Sequence, residues 1–342
     1  MAGWPAVTGP RIVIAVLSLA LVTALVVSGS SSTADFSIYN TDWDGTSNLR
    51  SSATIITQDT EVYDRVEPGE TIAIILSPDS PYTTEERERL RRFVTAGGTL
   101  VVAEDFGPHT NALLESLGAR SRIDGQLLRD EWNHFNSPAL PYATELGGNE
   151  LVSGIDQLTL NYGTVVQANN ATVIARSSDL AYLDSNLDSL IDERESLGSY
   201  PVVTYEELGA GRLFVVSDPS IFVNRMLEQP GNQQFVGRLV TERQTVLLDY
   251  SHVASVPPLT QAILLVRGSS RLQLVLGLAA IAAVAIFSTR RLRRERERDS
   301  PIPPTAATDE AVAAYLKKRH PTWDTARVER LLENLKDPGP PR

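Results

Sequence analysis

The apolar positions of this chain fall into two kinds of pattern. Short runs of four to six residues recur through the middle: FSIY (Phe36–Tyr39), ATII (Ala53–Ile56), TIAIIL (Thr71–Leu76) and TLVVA (Thr99–Ala103). TIAIIL lacks alternation, as expected for a strand covered on both faces. Between them lie helical signals. Thr83 and Glu86 have capping-box spacing and open a helix that ends at Gly97-Gly98. His109–Leu117 reads as a short helix closed by Gly118. Strand–helix–strand units at this spacing predict right-handed crossovers and a mostly parallel sheet.

The pattern continues after a Pro- and aromatic-rich loop at Asp130–Gly148. Strands are predicted at Leu158–Asn161, Thr164–Ala168 and Thr172–Ala175. A hairpin is predicted from Pro201–Tyr205 through Gly209–Gly211 to Arg212–Val216. Ser217-Asp218-Pro219 opens a helix to about Leu227; Gln233–Val240 is another, and Val246–Tyr250 a last strand. The fold class is α/β: a mostly parallel sheet with flanking helices, one core of about 220 residues.

Two longer apolar runs flank this region. Ile12–Val27 is broken only by Ser18 and Thr23, and Leu272–Phe287 only by Gln273. With their small neighbours each approaches the roughly 20 residues of a membrane span. RRLRRERER, Arg290–Arg298, follows the second as a positive-inside signal. The length of the first favours a retained anchor, although Ser32 and Ala34 suit signal cleavage. The expected layout is a cytoplasmic N-terminus at 1–11 and a first span at 12–33. An extracytoplasmic domain at 34–268, a second span at 269–289 and a basic linker with helical tail at 290–342 complete it. That makes a two-pass cell-membrane protein with both termini cytoplasmic.

Charge agrees with that expectation. Residues 33–268 hold 33 acids against 16 arginines, whereas residues 289–342 hold 13 cations against 9 acids. The whole chain carries a net charge of −11, and 28 of its 31 cations are arginine. The acidic excess suggests a halophile and argues against nucleic-acid binding. Cysteine is absent, which excludes disulfides, thiolate metal sites and a Cys nucleophile.

Together FSIYNTDWDGTSNLR, TIAIILSP, LRRFVTAGGTLVVAED and GRLFVVSDPSIFVN resemble the family called domain of unknown function 4350, over about Phe36–Tyr250. The resemblance implies a class I glutamine-amidotransferase-like or flavodoxin-like fold in haloarchaeal and bacterial membrane proteins. It also implies kinship with auxiliary proteins of gliding-motility-type ABC transporters. Partners implied in the same way are other membrane-complex proteins and a cytoplasmic ATPase system of the MoxR type. The amidotransferase reaction is not implied, because Glu104-Asp105-Phe106-Gly107 stands where that fold carries its Cys.

Ligands of open parallel sheets gather at the C-terminal strand ends. Those ends carry Asn40, Asp42 and Asp44; Ser77; Glu104 and Asp105; Ser217 and Asp218. Asp105, His109 and Asp218 could do acid–base work or simply cap helices, and capping is the commoner use. No nucleophile elbow, HExxH, P-loop or GxGxxG occurs.

The sharpest chemical pattern is DSNLDSLIDERE, Asp184–Glu195. As a twelve-residue calcium loop it places Asp184, Asn186, Asp188, Asp192 and Glu195 at positions 1, 3, 5, 9 and 12. The Leu190 carbonyl falls at position 7. Ser189 departs from the Gly expected at position 6, and an acidic surface insertion is the plainer alternative. Asn170-Ala171-Thr172 is a glycosylation sequon. The function expected is a membrane-anchored, non-enzymatic binding or scaffold protein; the alternative is a hydrolase using an Asp/His crevice.

Overall fold

The computed structural model describes residues 16–21, 23, 32–253, 269–299 and 308–336, with a few single positions between 257 and 266. It divides into two compact units, residues 1–264 and 265–342.

The first unit is built on an eight-stranded sheet. In chain order the strands of this unit are β1 (Ile55–Thr57), β2 (Thr71–Leu76), β3 (Thr99–Ala103), β4 (Arg122–Ile123), β5 (Leu127–Asp130), β6 (Tyr142–Ala143) and β7 (Glu145–Leu146). Then come β8 (Leu158–Thr159), β9 (Val166–Gln167), β10 (Thr172–Arg176), β11 (Ala181–Asp184), β12 (Pro201–Leu208), β13 (Gly211–Val216) and β14 (Thr245–Asp249). The large sheet has the order β1-β14-β2-β3-β13-β12-β10-β7. Its first five strands run parallel, and β12, β10 and β7 extend it antiparallel. The sheet is therefore mixed. The reason is the hairpin at Gly209–Gly211, which can only join antiparallel neighbours.

The parallel strands lack alternation because helices cover both faces. Ile72, Ile74, Val101, Phe214, Val246 and Leu248 pack one face, with Phe235 and Leu239 of the helix Pro230–Thr241. Ala73, Ile75, Leu100, Val102, Leu213 and Leu247 pack the other, under Leu90, Phe93 and Val94 of Thr84–Thr95 and Leu113, Leu114 and Leu117 of Thr110–Leu117. The capping box forms as the sequence predicts: Thr83 Oγ1 accepts from Glu86 N, and Glu86 Oε2 from Thr83 N at 2.7 Å. Gly118 takes the left-handed C-cap at φ 80°.

Three local expectations change. Phe36–Tyr39 is a turn, with Phe36 at φ 57° and its carbonyl taken by the hydroxyls of Thr46 and Tyr250. The helix expected after Asp218 is two 3₁₀ turns, Pro219–Phe222 and Met226–Glu228. The Pro-rich loop holds short strands, β6 and β7.

The membrane layout is also corrected. Among the described residues no helix is long and apolar enough to cross a membrane. The second apolar run does lie in a helix, Ser270–Asp299. Its unbroken apolar stretch, Leu274–Phe287, covers about 21 Å at 1.5 Å per residue, against roughly 30 Å of hydrocarbon. Arg271 and Gln273 precede it and the arginine run follows. Most of the first apolar run, residues 12–15, 22 and 24–27, lies outside the described residues. Two transmembrane helices, and the two-pass cell-membrane location drawn from them, are therefore not supported. In the second unit, Asp309–Arg319 and Thr325–Lys336 pair as a helical hairpin, with Val328 buried. Trp323, stacked on His320 and covered by Arg327, precedes the second helix.

Gly211 starts β13 where it passes closest to the end of Thr84–Thr95. A Cβ there would collide with the carbonyl oxygens of Val94 and Gly98. Both oxygens are backbone and cannot move aside. Gly211→Ala is expected to destabilise the domain by roughly 2–4 kcal/mol, read as a lower midpoint in urea denaturation.

Candidate functional site

Each parallel strand delivers a polar residue to its C-terminal end, and backbone N–H groups there have lost their ladder partners. Buried carboxylates answer that need. Glu104, fully buried, accepts from Asp105 N and Gly107 N at 2.9 Å each, from Thr110 Oγ1 at 2.9 Å and from Ser77 Oγ at 3.2 Å. A Cβ on Gly107 would strike the same carboxylate, so a side chain there would push Glu104 away from the amides it holds. Asp218, also fully buried, accepts from Ser220 N at 2.7 Å and from Asn161 N at 2.6 Å. Asp249 accepts from the Tyr63 hydroxyl at 2.8 Å and from Ser251.

Asp105 is half-buried and accepts from Phe106 N at 2.6 Å. Burial, together with the neighbouring Glu104, pushes its carboxyl up to about 6. Burial pushes Asp218 up to about 7, with the charge of Asp105 adding to the effect. The two acids thus feel one another, and each also fixes the backbone beside an exposed aromatic ring. Asp105 holds the N–H of Phe106. Asp218 holds the N–H of Asn161, next to Tyr162, which sits at φ 56°.

Phe106 and Tyr162, 50% and 55% exposed, line a cavity of about 540 Å³. The rest of its lining comes mainly from the antiparallel pair β5–β11 and the loops beside it. Arg129 and Tyr182 are directly opposed in that pair. Arg129 Nε donates to the Tyr182 hydroxyl at 3.1 Å and lies 3.7 Å from Asp184 Oδ2; its other end lies 3.6 Å from Glu131. The Tyr182 hydroxyl donates to Glu131 at 2.9 Å and is pushed up to about 12, chiefly by burial and then by that carboxylate. One guanidinium therefore serves two carboxylates. Leu127 and Leu187 add apolar surface to the lining.

The other residues named from sequence scatter. His109 occupies the N-cap position of Thr110–Leu117, and none of the described hydrogen bonds joins it to Asp105 or Asp218. Asn40 bonds Asp44 at 2.9 Å inside its own loop, and Asn224 ties Asp42 O to Asn48 N. Ser217 is buried beside Asp218 with no partner for its hydroxyl. Asn170 lies exposed in a turn at φ 73°. In the Asp184–Glu195 loop, Asp184 and Glu195 are buried, while Asn186 and Asp188 are exposed. Among the described residues no three His, Asp or Glu groups converge as a preformed metal centre. Sequence reasoning missed Phe106, Arg129, Tyr162 and Tyr182. Arg129 and Tyr182 lie in the short segments LLRD and AYLD, which do not alternate, and Phe106 and Tyr162 lie in turns, so no local pattern marks the four.

The raised carboxyls have a consequence for stability. Between about pH 4 and 7 the folded chain keeps protons on Asp105 and Asp218 that the unfolded chain has released. Their contribution is whole below about pH 4 and is lost as pH rises through about 6 and 7. Asp105→Asn keeps the Phe106 bond and removes one such group. Its melting temperature is expected to fall less steeply than that of the unaltered protein from pH 4 to 7. Parallel profiles would show that Asp105 titrates normally.

No curated protein matches the chain. Among solved structures, the mmIFT52 N-terminal domain is 17% identical, with a TM-score of 0.43 over 57% of this chain and 88% of that one. A ThuA-like protein from Bacteroides uniformis is 15% identical, with a TM-score of 0.31 over 55% and 77%. A GH42 beta-galactosidase from G. stearothermophilus is 20% identical, with a TM-score of 0.26 over 47% of this chain. The chain spans 20% of that galactosidase. The model for "Domain of unknown function (DUF4350)" matches residues 38–240, more than half of the sequence. The chain belongs to the DUF4350 family.

Proposed function

We propose that the α/β domain is a binding module whose ligand or protein partner inserts an apolar group between Phe106 and Tyr162. One observation carries the reading: two exposed aromatic rings line a cavity of about 540 Å³, within the size range of ligand sites. Each ring follows a backbone amide held by a strand-end acid. Asp105 and Asp218 are then positioning residues. Their oxygens accept from Phe106, Asn161 and Ser220, so the acids shape the rim of the site. Arg129, which lines the cavity and is held by Tyr182 and Glu131, supplies a polar edge. Large exposed aromatics beside a cavity are the usual mark of an interaction site.

A hydrolase is the second reading. It draws on the Ser217 hydroxyl, buried without a partner, next to Asp218, whose carboxyl burial pushes up to about 7. It is the weaker because a nucleophile needs a base within hydrogen-bond reach, and His109 is bonded to neither acid.

The test is ligand-observed NMR of the full chain against a library of aromatic and aliphatic fragments. Fragments are expected to bind the unaltered protein and to lose at least tenfold in affinity with Phe106→Ala plus Tyr162→Ala. Trp43→Ala, which removes another exposed ring, should leave binding unchanged. Equal binding by all three proteins would refute the cavity as the site.

A further inference from the structure

The loop Asp184–Glu195 leaves β11 and returns to the sheet at β12. Its backbone is organised by side chains at alternate positions. Asp184 Oδ2 accepts from Ser189 N at 3.1 Å, Asn186 Oδ1 from Asp188 N at 3.2 Å, Asp188 Oδ1 from Leu190 N at 2.8 Å and Asp192 Oδ1 from Arg194 N at 2.7 Å. Glu195 closes the loop. Its Oε1 accepts from Ser185 N at 2.8 Å and Ser185 Oγ at 3.1 Å, and its Oε2 from Asp192 N at 3.4 Å. Ser189 stands at φ 64°. The left-handed backbone that a calcium loop asks of its sixth residue is thus present, although the residue is not glycine.

Those bonds order a loop, and a ligand needs separate support. It comes from Asp184. The side chain is 1% exposed, its Oδ2 reaches into the loop at Ser189, and its Oδ1 is buried with no hydrogen-bond partner. A buried carboxylate oxygen with no donor is costly unless a cation meets it. Arg129 is the nearest basic group, 3.7 Å from the other oxygen, and is shared with Glu131. Further along, the Asn186 amide lies between two carboxylates, 3.0 Å from Asp188 Oδ2 and 3.5 Å from Asp192 Oδ2. Three side chains thus meet at one spot, where weak N–H donors face two anions. The other basic side chain nearby is Arg194, 87% exposed and 4.0 Å from Asp192.

We propose that this loop binds one calcium ion. Asp188 and Asp192 would turn to the ion the oxygens now facing the Asn186 amide, and Asp184 Oδ1 and the Leu190 carbonyl would complete the oxygen set with water. Calcium suits the loop because it accepts six to eight hard oxygens in flexible geometry, whereas magnesium demands a near-ideal octahedron. The carboxylates are held on separate backbone N–H groups before binding, so part of the binding energy goes into drawing them together. Affinity should accordingly be weak, about 10⁻⁴–10⁻³ M. Ser185, Leu187 and Ser189 also line the cavity, so the ion would stiffen one of its walls; the site itself stands whether or not that cavity binds a ligand.

The test is a thermal melt of the full chain at fixed ionic strength, titrated with calcium chloride and, separately, magnesium chloride. The melting temperature is expected to rise with calcium, half-maximally between about 0.1 and 1 mM, and less with magnesium. Asp188→Asn plus Asp192→Asn changes two side chains at the mouth of the loop and should abolish the calcium shift. Asp156→Asn plus Asp179→Asn, in other loops, should retain it. Hydrogen exchange of residues 185–195 provides a readout independent of melting, and calcium should slow it in the unaltered protein and in Asp156→Asn plus Asp179→Asn, but not in Asp188→Asn plus Asp192→Asn. An equal calcium response in all three proteins, or none in the unaltered protein up to 10 mM (about ten times the weakest affinity expected), would overturn the proposal.

Discussion

Parallel strands that end inside a protein leave amide groups with neither a ladder partner nor water. The arrangement in this domain follows from how that need is met at β3. One carboxylate, Glu104, accepts from Ser77 after β2, from the two amides of the turn after β3 and from the first residue of the helix Thr110–Leu117. It joins two strand ends to a helix start, and Gly107 is left without a side chain so that it can do so. Asp218 repeats the device after β13 and Asp249 after β14. Fixing those turns sets Phe106 and Tyr162 at the mouth of the cavity. The chemistry-bearing residues of the crevice are thus bound to the scaffold, and the surface available to a partner lies beside them.

The parallel core was legible because burial on both faces imprints itself directly: Thr71–Leu76 and Thr99–Ala103 form over the residues the pattern marks. The capping box at Thr83 and the stop at Gly118 were legible for the same reason, since each is a local hydrogen-bonding or φ requirement. Phe36–Tyr39 was not. Ile38 is buried and Phe36 and Tyr39 are half-buried without strand pairing, the Phe36 carbonyl being taken by the Thr46 and Tyr250 hydroxyls, and an apolar run alone does not separate a strand from a packed turn. The antiparallel extension of the sheet depended on where the hairpin docks, a tertiary fact.

The site divides along the same line. Asp218 could be read as a cap, because Asp before Pro after a strand is a local signal, and its 3₁₀ turn bears that out. The cavity could not be read. Arg129 and Tyr182 lie 53 residues apart and meet through the β5–β11 register. Phe106 and Tyr162 come together through contacts that no spacing encodes. The apolar run at Leu272–Phe287 marks the opposite error: composition pointed to a span, whereas among the described residues no helix is long and apolar enough to cross a membrane.

The account rests on the strand-end carboxylates serving the fold, and Glu104→Ala tests that most directly. It strands the amides of Asp105 and Gly107 in a buried place, each costing about 1–3 kcal/mol. At roughly 2–4 °C per kcal/mol for a domain of this size, the melting temperature should fall by on the order of 5 °C or more. Hydrogen exchange should quicken across residues 104–110. An unchanged melting temperature with unchanged exchange in that turn would contradict the account.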